Sequence, residues 1–284
     1  MAEDEHVIEA IGRTRIVVRN GKVVEVGTPL ITDCPLAARF AYPVRKITAE
    51  EAAANISERI RSFGLCRADR EILCTSDFVL FGASELISCA LRHGRVDAAV
   101  IACEGAGTVI ACAADLVQGI GGRMSGLSAT TPIPELIARI EAAGGIVPFP
   151  ANAAIDQHGG AIRAREAGYE RIAVTVASAG DAERIRRDLH DAVIIGVHTT
   201  GISGEGAQKM AETCDILSAC ASRAVREAVA GKVRVQGGIS VPVYALTPAG
   251  KEIILEKIRR TSQPVLIRGG TLPVAGDRVP SPLI

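Results

Sequence analysis

Arg171-Ile-Ala-Val-Thr-Val176, Ala177-Ser-Ala-Gly-Asp-Ala-Glu-Arg-Ile-Arg-Arg-Asp-Leu-His-Asp191 and Ala192-Val-Ile-Ile-Gly-Val197 decide the fold class. The outer two runs are short, largely apolar and rich in Val and Ile, as strands buried on both faces are. The run between them is polar and long enough for one crossover helix, with Asp181 as its expected cap. The alternation extends in both directions. A helix over 160–167 precedes it. A helix over 204–212, a strand over 215–219, a helix over 222–230 and strands over 233–236 and 241–246 follow. Thr247 then caps a helix with Pro248 at its first position, and 264–267 reads as a last strand. Short strands joined by helices of about ten residues form the βαβ pattern. The expectation is an α/β fold with a mostly parallel sheet and helices on both faces.

Upstream, residues 15–19 and 22–26 flank Asn20-Gly21 and predict a β-hairpin with a type I′ turn. Thr48 and Glu51 have capping-box spacing and open a helix to about Ser62. A helix over 83–93 ends at Gly94, and 98–103 reads as a buried strand. The Glu104–Thr108 turn should lead into a helix toward Gln118, and Gly119–Gly126 is a glycine-rich connection. Pro132 and Pro134 suit the first turn of a helix to Ala143. A break near 145–156 divides the chain into subdomains 1–150 and 151–284, unless the two are continuous. The tail after Gly269 carries Pro273, Pro280 and Pro282 and should lie extended on the surface.

At 284 residues, with 48% hydrophobic but only 3% aromatic residues and no Trp, the core must be built from small aliphatic side chains. Lys plus Arg and Asp plus Glu are equal at 32 each. That balance excludes a nucleic-acid binder that relies on a basic surface excess. No apolar run reaches the ~18 residues of a membrane span. The acidic start at Met1–Glu5 lacks the layout of a signal peptide, so a cytoplasmic location without membrane association is expected. The eight cysteines show no C-x2-C spacing. In this setting they read as buried thiols or as ligands drawn from distant segments.

Ligands of parallel sheets bind beyond the carboxyl ends of the strands. There the sequence places Cys103 and Glu104, Ser178 and Gly180, His198-Thr199-Thr200-Gly201, and Cys220 with Ser222. Cys220 just ahead of a capped helix suits a thiolate, and His198 on a neighbouring strand would pair with it. The plainer reading is that Cys220 fills a tight turn. Cys103, Cys220 and His198 form a candidate metal set, for zinc or an iron–sulfur cluster, with Glu104 as acid or base. Gly105, Gly107 and Thr108 resemble a phosphate-cradling turn. However, Ile110 stands where a dinucleotide fingerprint needs its third glycine, and no P-loop Lys is present. Gly121, Gly122 and Arg123 would bind an anion through exposed N–H groups, or else form a plain connection. His158 reads as a solvated residue at a helix start before it reads as a base or ligand. His6, His93 and His190 read as tail or helix-end residues without a role.

Several strings together resemble the methanogenesis marker protein 8 family. They are Asp4–Gly12 with Arg15–Gly27, Phe81-Gly-Ala-Ser-Glu85, Cys103–Ile110, Val117–Met124, Thr131–Glu135, Ile155-Asp-Gln157, Val197–Gly201 and Cys214–Ser222. The resemblance runs over nearly the whole chain. It implies methane-forming archaea and anaerobic one-carbon metabolism, and it supplies no mechanism. Glu104 departs from the Asp expected there. Three readings compete. One is a thiol- or metal-dependent enzyme or maturation factor acting on a small molecule. The second is a non-catalytic module for an anionic cofactor, held by the glycine turns and Thr199–Gly201. The third is an assembly partner, as a homo-oligomer or within a larger complex.

Overall fold

The computed structural model describes residues 4–124 and 126–284; residues 1–3 of the acidic start and Ser125 of the glycine stretch lie outside the described residues. The chain opens with β1 (Glu5–Ala10), β2 (Thr14–Arg19) and β3 (Lys22–Val26), then α1 (Ala49–Phe63) and α2 (Ala83–Arg92). A hairpin of β4 (Ala98–Cys103) and β5 (Gly107–Ala111) leads to α3 (Ala114–Gly121), β6 (Gly126–Thr130) and α4 (Pro134–Ala142). Then come α5 (Gln157–Glu166), β7 (Ile172–Val176), α6 (Ala179–Asp188), β8 (Val193–Gly196), α7 (Gly204–Thr213), β9 (Ile216–Ser218) and α8 (Arg223–Ala228). The last elements are β10 (Val235–Gly237), β11 (Val243–Ala245) and α9 (Pro248–Arg260).

The main sheet has seven strands in the order β10-β11-β9-β8-β7-β4-β5. Side chains alternate between its faces, so each strand feeds two cores. Ala99, Ile101, Ala173, Ile195 and Ile216 pack with Leu86, Ile120, Leu136 and Ile254 from α2, α3, α4 and α9. Val100, Val174, Ile194 and Leu217 pack with Ala161, Ile185, Met210 and Val225 from α5 to α8. Helices thus cover both faces, as expected for an α/β protein. Each fully buried Ile or Leu contributes about 1.5–3 kcal/mol.

The sheet is mixed, not mostly parallel. β4, β7, β8 and β9 run parallel, while β5, β10 and β11 pair antiparallel to their neighbours. The reason is connection length. A parallel return needs a crossover of a dozen or so residues, and neither the β4–β5 turn nor the short β10–β11 loop has room for one. The turn at Glu104–Thr108 therefore leads into β5 instead of a helix. Two smaller expectations also change. Ser178, not Asp181, caps α6, its side chain accepting from the Asp181 N–H. Residues 264–267 form no strand, and Leu266 and Ile267 are 87% and 72% exposed. Strands from both sides of 145–156 share the seven-stranded sheet, and Ile146 bridges Ile110 of β5.

The predicted hairpin is present, with Asn20 and Gly21 both at positive φ as a type I′ turn requires. It belongs to a second, antiparallel sheet of order β3-β2-β1-β6. Ile8, Ile16 and Val18 of that sheet pack on Ala52, Ile56 and Ile60 of α1, and Thr48 Oγ1 caps α1 as expected. Among the described residues no helix is long and apolar enough to cross a membrane.

Candidate functional site

The four-stranded sheet lies against the carboxyl ends of the parallel strands, and the seam between the two sheets holds most of the polar residues in question. At β4, Gly105 N–H donates to Thr130 Oγ1 at 2.7 Å and Ile133 N–H donates to Gly105 O at 2.8 Å. At β8, the guanidinium of Arg13 donates to Thr200 O at 2.8 Å and Gly201 O at 3.0 Å. Gly126 of β6 sits between Glu9 and His198. A Cβ on it would lie 2.8 Å from Glu9 Cβ and 3.5 Å from His198 Cγ, so only a residue without a side chain lets these two approach.

His198 follows β8 with φ 54, a left-handed conformation that a non-glycine residue adopts at a cost and that recurs at functional sites. Burial lowers its pKa to about 4, which leaves a neutral imidazole near pH 7. Across Gly126, burial raises the Glu9 carboxyl, opposed by Arg13 at 3.3 Å. Burial thus favours the neutral form of both groups, a carboxylic acid that can donate a proton and an imidazole that can accept one. The linkage signs are opposite. The unfolded chain takes up a proton at His198 near pH 6.5 and the folded chain only near 4, so stability falls as pH drops through that window. His6, also lowered by burial, adds to this loss. Glu9 contributes stability at low pH that is lost as pH rises through its elevated folded value. Denaturant titrations at stepped pH should show a flatter acid limb for His198→Gln than for the native chain. An unchanged limb would mean that His198 titrates normally.

Deeper in the seam, Glu104 directly follows β4 at 1% exposure and forms an ion pair with Arg70, itself fully buried. Arg70 also donates to the carbonyls of Glu71, Gly119 and Ile120 at 2.8–3.1 Å. The second carboxylate oxygen of Glu104 is buried with no hydrogen-bond partner among the described residues. Nearby, His6 Nδ1 lies 2.5 Å from Thr130 Oγ1, and its Nε2 lies 2.7 Å from Asp4 Oδ1. His6 is thus a buried member of β1 and not a tail residue.

The thiol expectations change. Cys103 is fully buried, donates to Glu104 O at 3.3 Å, and is pushed by burial well above the usual thiol range. Cys220 is partly exposed, yet burial still raises its thiol, opposed by the amide and hydroxyl of Thr199. Ser222 does cap α8, but Arg226, the nearby cation, is turned to the carbonyls of Ala219, Cys220 and Ser240. Neither thiol has the electropositive setting of a nucleophile. Cys103 and Cys220 also belong to strands three places apart in the sheet, about 14 Å at ~4.8 Å per strand. His198 and Cys220 follow adjacent strands. Among the described residues no group of three or more His, Cys, Asp or Glu is arranged to hold a metal ion, so Cys103, Cys220 and His198 are not brought together as ligands.

The glycine cradles are occupied by the protein itself. The N–H groups of Gly105, Ala106 and Thr108 donate to Thr130 Oγ1, Cys103 O and Ala154 O, which leaves none of the three for a phosphate. Thr108 Oγ1 accepts from Asp156 N–H and donates to Gln157 Oε1. Gly119 and Gly121 end α3, and Gly122 is its C-cap. That end carries negative dipole charge and repels anions, and Arg70 already takes two of its carbonyls. Arg123 pairs with Glu71 and stacks over Phe63 and Phe78 at 5.2 and 5.8 Å. Thr199 Oγ1 donates to Ser218 O at 2.6 Å, and Thr200 Oγ1 accepts from Ala221 N–H at 3.3 Å, so both fasten the β8 and β9 ends together. A surface hollow of about 500 Å³, lined in part by Cys214, Lys232, Arg234 and Thr247, lies at the amino end of β9, away from this chemistry.

Glu9, Arg13, His6 and Arg70 are the residues that sequence reasoning missed. Polar–apolar alternation through Glu5–Ala10 could have placed the first and third on a strand. Nothing local marks Arg70.

The fold and seam define a three-layer α/β protein whose parallel strand ends are roofed by a small antiparallel sheet. Residues 6–259 match the family described as "Uncharacterized protein conserved in archaea (DUF2099)", and the chain belongs to that family. It is 44% identical over 284 residues to "Uncharacterized protein MJ0054" of Methanocaldococcus jannaschii, covering 99% of this chain and 100% of the relative. No solved structure matches the chain.

Proposed function

We propose that the seam is an acid–base catalytic site for a small molecule, with His198 as base and Glu9 as acid. The observation that carries this reading is the neutral His198 imidazole. It is held at a left-handed backbone position across Gly126 from Glu9, whose carboxyl is raised by burial. Arg13 spans the entrance between Glu9 and the Thr200–Gly201 carbonyls and would receive an anionic group of the substrate. The resemblance to methanogenesis marker protein 8 points to a substrate from anaerobic one-carbon metabolism. A thiol nucleophile has less support, because burial raises both candidate thiols.

The test begins with a metabolite panel screened by thermal shift on anaerobically purified protein. Compounds that stabilise it are then incubated in D2O and followed by NMR. Native protein should exchange or convert a bound compound. His198→Gln and Glu9→Gln should fold normally and lose on the order of 10²–10⁴ of that rate. Binding without exchange or conversion in the native protein would instead establish a non-catalytic module, and the acid–base reading would fall.

A further inference from the structure

The hollow at the amino end of β9 takes no part in the seam chemistry. At about 500 Å³ it falls within the range of about 300–1,000 Å³ of small-molecule sites. Its wall comes from three connections: Glu212 at the end of α7, Lys232 to Arg234 ahead of β10, and Leu246 with Thr247 after β11. Two of these residues are cations without a close partner. The Lys232 ammonium nitrogen is buried and has no hydrogen-bond partner among the described residues. Glu212 stands 3.8 Å from it, too far for a hydrogen bond, and accepts instead from Gln208 at 2.7 Å. Arg234 donates through Nε to Leu246 O at 3.0 Å and makes no ion pair among the described residues. The other negative groups nearby are already satisfied. Asp215 accepts from Arg186 at 2.6 Å, from Thr247 Oγ1 at 2.5 Å and from Ile194 N–H at 2.8 Å, and Arg186 also takes the Thr213 carbonyl at the end of α7. Thr247 caps the 13-residue α9, which sets the positive end of that helix beside the hollow.

We propose that this hollow binds the phosphate group of a small phosphorylated molecule through Lys232 and Arg234. A buried ammonium without a partner is costly, and turning it into the hollow on its flexible stem breaks no hydrogen bond. Arg234 adds the planar donor fork that suits a phosphate edge. A phosphate monoester carries a charge of about −1.5 to −2 at neutral pH, which two cations balance and a single carboxylate would not. Glu212, 58% exposed, is the opposing charge and is displaced toward solvent as the anion enters. β8 and β9 run parallel, so the hollow lies at the strand end opposite the one that carries His198. The inference therefore stands apart from the acid–base reading and is read by binding, without turnover.

The experiment is equilibrium dialysis of the full-length protein with radiolabelled inorganic phosphate, with sodium chloride adjusted to hold the ionic strength constant. One saturable site per chain is expected, in the millimolar range or tighter. Lys232→Met and Arg234→Met, checked for native thermal stability, should each weaken binding roughly tenfold or more, the loss of one charge-assisted hydrogen bond. Lys232→Arg should keep most of the affinity. Glu212→Gln removes the competing carboxylate and should tighten binding roughly twofold to fivefold. Should a cation variant fail to fold, Glu212→Gln decides alone, and an affinity no greater than native overturns the proposal. It is also overturned if the native chain binds no phosphate, or if the folded cation variants bind as the native chain does. Loss of binding in Arg13→Met alone would move the anion to the seam and overturn it as well.

Discussion

Arg70→Met is expected to cost about 3–5 kcal/mol of stability, the usual penalty for stripping the partner from a buried charge. The substitution leaves the Glu104 carboxylate buried and unpaired, and it also orphans the carbonyls of Glu71, Gly119 and Ile120. Urea denaturation under reducing conditions measures the loss. Arg70→Met combined with Glu104→Gln should be more stable than the sum of the two single losses, because the unpaired charge is gone. A loss below about 1 kcal/mol for Arg70→Met would show that the pair does not anchor the β4 end, since a broken buried pair costs several times more.

Gly107→Ala should be nearly as damaging, and for a reason unrelated to ligand binding. Gly107 has φ 68, and a Cβ there would run into the backbone of Ala153 and Ala154. A left-handed backbone costs about 1–2 kcal/mol for a residue with a Cβ. Overpacking against an unyielding main chain adds about 1–3 kcal/mol. The same denaturation measurement decides between two roles for this turn. A phosphate cradle predicts a stable variant that has lost a ligand, whereas a backbone crossing predicts a destabilised one. A Gly107→Ala protein as stable as the native chain would contradict the packing described here.

The regular βα stretch was legible because strand and helix signals there are local. β7, β8 and β9 lie where runs of Val, Ile and Leu between capped helices place them. The direction of β5, β10 and β11 was not legible from their apolar character, since a buried strand reads alike whichever way it runs. Only the lengths of their connections carried that information. Residues 264–267 show the converse: an apolar run with strand composition forms no strand where no partner edge receives it.

The candidate site was legible in part. Its location beyond the parallel strand ends followed from the βαβ pattern, and His198 and Glu104 were read correctly as strand-end residues. Whether a cysteine is a nucleophile depends on burial and neighbouring charge, and Cys103 and Cys220 acquire those from segments far away in sequence. Glu9 comes to the Gly126 position that His198 also borders, and Arg13 to the Thr200–Gly201 carbonyls, only because β1 pairs with β6 and the small sheet folds over the main one.

By itself the sequence determined that this is an α/β protein of aliphatic core with capped helices, because those properties rest on the periodicity and turn chemistry of neighbouring residues. Tertiary structure alone decided that the glycine turns are crossings instead of cradles, that burial raises the strand-end thiols, and that Glu9 and His198 flank Gly126. Each of those depends on which distant backbone fills the adjacent space, and that is settled only when the two sheets pack.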